Sequence, residues 1–118
     1  MKKGRQLGGI IVPVITPFSA DEELDEALFR REVKHLLACG VHGLSPGGST
    51  GEGAALRDEE LQRMVRIARE EAPAGIPVVA GVIRSSTQAA LTTALAAKKA
   101  GADALMVTPV FYNVLVPD

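Results

Sequence analysis

A chain of 118 residues is one domain at most, well short of the roughly 250 residues that a complete (β/α)8 barrel needs. Its 13 basic and 14 acidic side chains give a net charge of −1 with no basic block, which excludes nucleic acid and anionic membrane surfaces as partners and leaves a small-molecule role. The single cysteine, Cys39, permits no disulfide within the chain, so a reducing, cytoplasmic setting is expected.

The N-terminus begins basic and turns apolar, as a signal peptide does. Pro13 and Pro17 interrupt the run, however, and no small-residue cleavage site follows. Gly9 to Phe18 instead read as a strand buried on both faces. A polar turn then leads to a helix in which Phe29, Val33, Leu36 and Leu37 fall on one stripe. Asp25 is its expected N-cap and Gly40 its stop, and Cys39 is placed in the same buried stripe. A short strand around His42 to Pro46 runs into the glycine loop Gly47 to Gly53. The second helix is predicted from Asp58 to Glu71, with Leu61, Met64, Val65 and Ala68 on its inner face and Asp58 as its cap. Ile76 to Ile83 form a third buried strand. A third helix opens with Ser85 and Gln88 spaced as a capping box, turns Leu91, Ala94 and Leu95 inward and stops at Gly101. Ala102 to Asn113 supply a fourth strand and the loop after it.

Strand and helix alternate with a period of roughly 30 residues, and each helix is long enough to cross back over the sheet. The strands are therefore parallel with right-handed crossovers, an α/β arrangement of the form (βα)3β. It fits either an open doubly wound sheet or the N-terminal half of an eight-stranded barrel. In both, ligands bind where strands end. Thr16 and Pro17, the glycine loop, Arg84 to Thr87, and Thr108 to Asn113 all fall at that end.

The loop sequence Gly-Gly-Ser-Thr-Gly-Glu-Gly has no lysine, so it is not a nucleotide-phosphate loop. The turn after the first strand lacks the dinucleotide fingerprint. His35 and His42 lie seven residues apart without partners at ligand spacing, so they are read as surface or packing residues and no metal is expected. What remains beside a plain turn is a cradle for a small carboxylate, in which successive N–H groups and the Ser49 and Thr50 hydroxyls surround two oxygens.

The run Gly47 to Glu52, with Val-Thr-Pro-Phe at one strand end and Val-Thr-Pro-Val-Phe-Tyr-Asn at another, resembles the dihydrodipicolinate synthase and N-acetylneuraminate lyase family from about Gly9 to Tyr112. These are pyruvate-dependent class I aldolases on a TIM barrel. The resemblance implies that the chain is one partial barrel domain, residues 1–118. It implies that Thr50, flanked by Gly48 and Gly51, holds the pyruvate carboxylate. It also implies that Ser49 and Tyr112 belong to a proton relay, with Tyr112 acting across a subunit interface of a homo-oligomer. No cofactor is implied; the partners are a 2-keto acid and an aldehyde. Glu52 is read as a loop brace or helix-start carboxylate. In the family the Schiff-base lysine lies on strand six, beyond this fragment, and the resemblance therefore implies an isolated chain without catalysis. A half-barrel that only self-associates is the alternative. Ser49, Thr in many synthases, is Ser in the lyases, and Asp58, Leu61 and Phe111 depart from the lysine-regulated pattern.

Overall fold

A computed structural model of the chain describes residues 7–111 and residue 116. Four strands and three helices alternate: β1 (Ile11–Val14), α1 (Glu26–Ala38), β2 (Gly43–Pro46), α2 (Asp58–Glu71), β3 (Val79–Val82), α3 (Thr87–Ala100) and β4 (Ala104–Val107). β1 pairs in parallel with β2, Ile11 opposite Gly43, and β3 pairs in parallel with β4, Val79 opposite Ala104. A single parallel bridge, Leu44 to Val78, joins the two pairs, and the Leu44 N–H donates to the Pro77 carbonyl at 3.0 Å. The strand order is thus β1-β2-β3-β4, each strand beside the next in sequence, as in a (β/α)8 barrel.

The core lies between this sheet and the helices. Val14, Leu44 and Ala80 come from the strands, Val78 from the residue before β3, Phe29 and Val33 from α1, and Leu61, Met64, Val65 and Ala68 from α2. The predicted stripes of α1 and α2 therefore do pack inward. Asp25 caps α1, accepting from the Leu28 N–H at 2.9 Å, and Gly40 follows the helix at φ +81°, a conformation that favours glycine. Arg30 bridges the helices through Glu70 and Glu71, and Arg63 reaches Glu26 at 3.1 Å. At the opposite edge Asp103 accepts from the Val78 N–H at 2.9 Å and from Arg69 at 2.6 Å, tying α2 to the entry of β3. Among the described residues, no helix is long and apolar enough to cross a membrane.

Several local expectations are corrected. Cys39 is exposed: it is the C-cap of α1, one turn from the exposed His35, and lies past the buried stripe. α2 is capped at Arg57, with Asp58 its first helical residue; an arginine has no acceptor, so the Arg57 N–H is instead satisfied by the Glu60 carboxylate at 2.8 Å. The cap of α3 is Ser86 rather than Ser85, accepting from the Ala89 N–H at 3.2 Å. α3 buries Thr93 and Ala97 against α2 and β3, which leaves Leu91 and Leu95 at 51% and 58% exposure and Ala94 half-buried. Small side chains let that helix approach closely, and its larger apolar residues fall outside the flank that packs on α2 and β3. The outer strands share this position: Pro13 of β1 and Leu105, Met106 and Val107 of β4 are exposed, so β1 is not buried on both faces. A proline is tolerated at such an edge because it has no N–H to pair.

Candidate functional site

Strand ends β1 to β4 deliver Thr16, the glycine loop, Arg84 and Thr108 to one end of the sheet, as the sequence predicts for a ligand face. The loop leaves β2 through Gly47 at φ +73°, and its carbonyl is clamped from two sides. A Cβ on Gly53 or on Gly81 would collide with that carbonyl at distances no real side chain adopts; on Gly81 it would also lie 2.5 Å from the Gly48 nitrogen. Glycine in the middle of a buried strand is the usual sign of such a close backbone approach. Gly51 is as confined: a Cβ there would lie 2.7 Å from the Val14 carbonyl.

Hydrogen bonds fix the remaining path. The Thr16 hydroxyl donates to the Gly51 carbonyl at 2.6 Å. Within the loop the Glu52 N–H donates to Ser49 O at 3.1 Å and the Gly53 N–H to Gly48 O at 3.0 Å. Gly47, Gly48, Gly51 and Gly53 are buried, whereas Ser49 and Thr50 between them are exposed. Buried glycines thus hold two hydroxyls out at the tip. Such a tip can surround an anion with hydroxyl and N–H donors, with no formal positive charge among its own residues.

An open groove of about 620 Å³ lies beside the tip, lined by Ser49, Glu52, Gly53, Ile83, Thr108 and Phe111 among others. Ser49 and the β4 exit are therefore brought together, and Thr50 does not line that groove. The Thr108 hydroxyl is buried there without a hydrogen-bond partner among the described residues, as is Ser45 of β2. Tyr112 lies outside the described residues. Glu52 braces the loop with its backbone at φ +56°, a left-handed conformation costing about 1–2 kcal/mol for a residue with a side chain. Its carboxylate makes no hydrogen bond or ion pair among the described residues, so it braces nothing itself.

Two features escaped sequence reasoning. Gly81 was hidden in an apolar strand, although a glycine amid β-branched residues is itself a signal. Asp58, Arg84 and Thr93 form a part-buried polar cluster, with the Thr93 hydroxyl donating to Asp58 Oδ1 at 2.6 Å and Arg84 Nη2 to the same oxygen at 3.1 Å. An arginine immediately after a buried strand was the only linear hint. The described lysines stand elsewhere. Lys34 pairs with Glu71 at 3.7 Å, while Lys98 and Lys99 are exposed in the last turn of α3, at the far end of the sheet from the loops.

Elements and loops together define a segment of a parallel (β/α)8 barrel that presents the exposed hydroxyls of Ser49 and Thr50 at the carboxyl ends of its strands. Residues 6–117 match the dihydrodipicolinate synthetase family, and the chain belongs to that family. It is 42% identical over 110 residues to the 4-hydroxy-tetrahydrodipicolinate synthase of Methylobacterium radiotolerans and 39% identical over 111 residues to that of Methanopyrus kandleri. These alignments take in 93% of this chain but 36% and 37% of the relatives, so the chain spans about a third of their length. Among solved structures it resembles YagE, a prophage protein of this family from E. coli K12 in complex with pyruvate, with TM-score 0.82 and 32% identity over 92% of this chain and 36% of that one. CdNal from Clostridium difficile, in complex with mannosamine, gives a TM-score of 0.85 and 28% identity, covering 94% of this chain and 39% of that one. The homologues are lyases of the dihydrodipicolinate synthase type, and the structural neighbours are TIM barrels.

Proposed function

We propose that this chain supplies the carboxylate-holding part of a pyruvate-dependent aldolase or lyase that works through a Schiff base. The observation that carries the reading is the loop tip: Ser49 and Thr50 stand exposed on buried, sterically pinned glycines. A family member holding pyruvate supports the choice of anion. In this reading Thr50 and the N–H groups from Gly48 to Gly51 hold the pyruvate carboxylate. A lysine amine attacks the ketone carbon, water leaves, and the resulting iminium accepts the electrons released when a C3 proton departs. The enamine carbon then bonds to the aldehyde carbon, whose oxygen takes up a proton. Ser49 and Tyr112 relay that proton, Tyr112 from a neighbouring subunit of a homo-oligomer.

The lysine is not one of Lys34, Lys98 and Lys99, all of which are remote from the loops, and the chain by itself is inactive in this proposal. Residues 1–118 form one partial barrel domain, and the protein works in the cytoplasm. Amide chemical shifts and borohydride trapping test these statements on the 118-residue chain. Pyruvate is expected to move the amide signals of residues 48–51 and to leave no reduced adduct on any lysine. Absence of those shifts, or an adduct on one of these lysines, refutes the reading. A second reading, a half-barrel that only self-associates, draws on the exposed apolar side chains of β4 and α3. It predicts concentration-dependent sedimentation with no response to pyruvate.

A further inference from the structure

We propose that Arg84 is the positioning residue of the glycine loop, setting the tip from behind without touching the ligand; the identity of that ligand rests on the function proposed above. Arg84 follows β3 directly, and its side chain is only 14% exposed. Nη1 donates to the carbonyls of Gly53 and Ile83, both at 2.8 Å. Nη2 donates to the Leu56 carbonyl at 2.9 Å and to Asp58 Oδ1 at 3.1 Å. Nε donates to the Thr93 hydroxyl at 2.9 Å, and Thr93, fully buried on α3, donates its own hydrogen bond to Asp58 at 2.6 Å. A guanidinium has five N–H donors, and all five are used.

Two consequences follow from this saturation. Arg84 has no donor left for a substrate carboxylate, and Asp58 neutralises its charge, so its role is geometric. Its partners also lie on four separate pieces of chain: the glycine loop, the end of β3, the start of α2 and the middle of α3. Apart from Arg84, the loop's descending limb is held by the Ala55 N–H to Glu52 O bond at 2.9 Å and by burial of the Leu56 side chain. Ala54 and Ala55 are exposed, and the bond from the Leu56 N–H to Gly53 O is long at 3.4 Å. Lysine cannot replace this fork, because a single ammonium cannot reach three carbonyls and two side chains in fixed directions.

Amide hydrogen exchange followed by NMR on the 118-residue chain tests the proposal. Arg84→Lys and, independently, Asp58→Asn are compared with Val33→Ala, which weakens the core on α1 away from the loop. In Arg84→Lys the amides of Gly53, Ala55 and Leu56 are expected to exchange roughly tenfold faster or more, with those of Ala80 and Val82 in β3 within about twofold of the parent. Asp58→Asn shows the same selectivity in smaller measure, and Val33→Ala shows none. Pyruvate-induced shifts at residues 48–51 weaken in parallel with the loosening. Unchanged loop exchange in Arg84→Lys overturns the proposal, as does acceleration spread evenly over the chain in both Arg84→Lys and Asp58→Asn. Selective loosening in a chain whose parent gives no pyruvate response supports the positioning role and refutes the proposed ligand.

Discussion

Replacing Gly81 with alanine places one methyl group at the tightest backbone crossing in the site. The new Cβ would lie 2.5 Å from the Gly48 nitrogen and closer still to the Gly47 carbonyl, whereas ordinary contact begins at 3.4 Å. Strand and loop must therefore part by about 1 Å, and since every atom met belongs to the backbone, no side chain can turn aside to make room. Overpacking of this kind costs about 1–3 kcal/mol, and the rigid neighbour puts this case in the upper half. Against that, alanine restricts the unfolded chain and recovers up to about 1 kcal/mol. The net expectation is a loss of about 2 kcal/mol, seen as a fall of roughly 1–2 M in the urea midpoint by circular dichroism. Pyruvate-induced shifts at residues 48–51 should vanish with it, because the loop moves. Gly8→Ala is the control: nothing lies within 4 Å of a Cβ there, so its midpoint should stay put. A Gly81→Ala protein within about 0.5 kcal/mol of its parent would refute the argument that β3 carries glycine to admit the loop.

Other perturbations separate the remaining roles. In a chimera placing this segment in the Methylobacterium radiotolerans synthase, Thr50→Val should weaken pyruvate use by about 1.5–3 kcal/mol in kcat/KM. Ser49→Ala should mainly lower kcat, by roughly 10²-fold; steady-state kinetics with pyruvate varied would expose the reverse assignment. Thr16→Val removes the 2.6 Å bond to Gly51 O and should cost about 1 kcal/mol in urea unfolding, with a result near zero arguing that the loop does not depend on β1. Burial pushes the Glu60 carboxyl up, but hydrogen bonds from the Arg57 side chain and backbone N–H outweigh it and hold Glu60 below its usual 4.5. Arg30, by hydrogen bonding, likewise holds Glu71 low. A lowered carboxyl stabilises the fold above its ordinary value and loses that contribution as the pH falls through the folded value. Stability should accordingly decline below about pH 4.5, and Glu60→Gln should flatten that decline while costing about 1 kcal/mol at neutral pH; an unaltered acid limb in this variant would show that Glu60 does not carry it.

The alternation of apolar strands with amphipathic helices was written in the linear sequence, because a period near two or 3.6 residues commits a segment to one structure before any distant contact forms. Asp25 and the bounds of α2 follow from that local chemistry, and so does the loop Gly47 to Gly53, whose residue types have few uses other than close backbone approach. Tertiary structure decided what depends on neighbours far along the chain. Leu91 and Leu95 fit an inward stripe by spacing, yet α3 turns Thr93 and Ala97 to the core, since the flank available to it is set by α2 and β3 and not by its own periodicity. Asp58 has the chemistry of a helix cap but is drawn 35 residues along the chain to Thr93, and Arg84 is drawn 31 residues back to Gly53. A buried cation must find its acceptors wherever the fold supplies them. Gly81 and Gly47 meet for the same reason: the need for a missing side chain exists only once two backbones cross, and no single segment contains both.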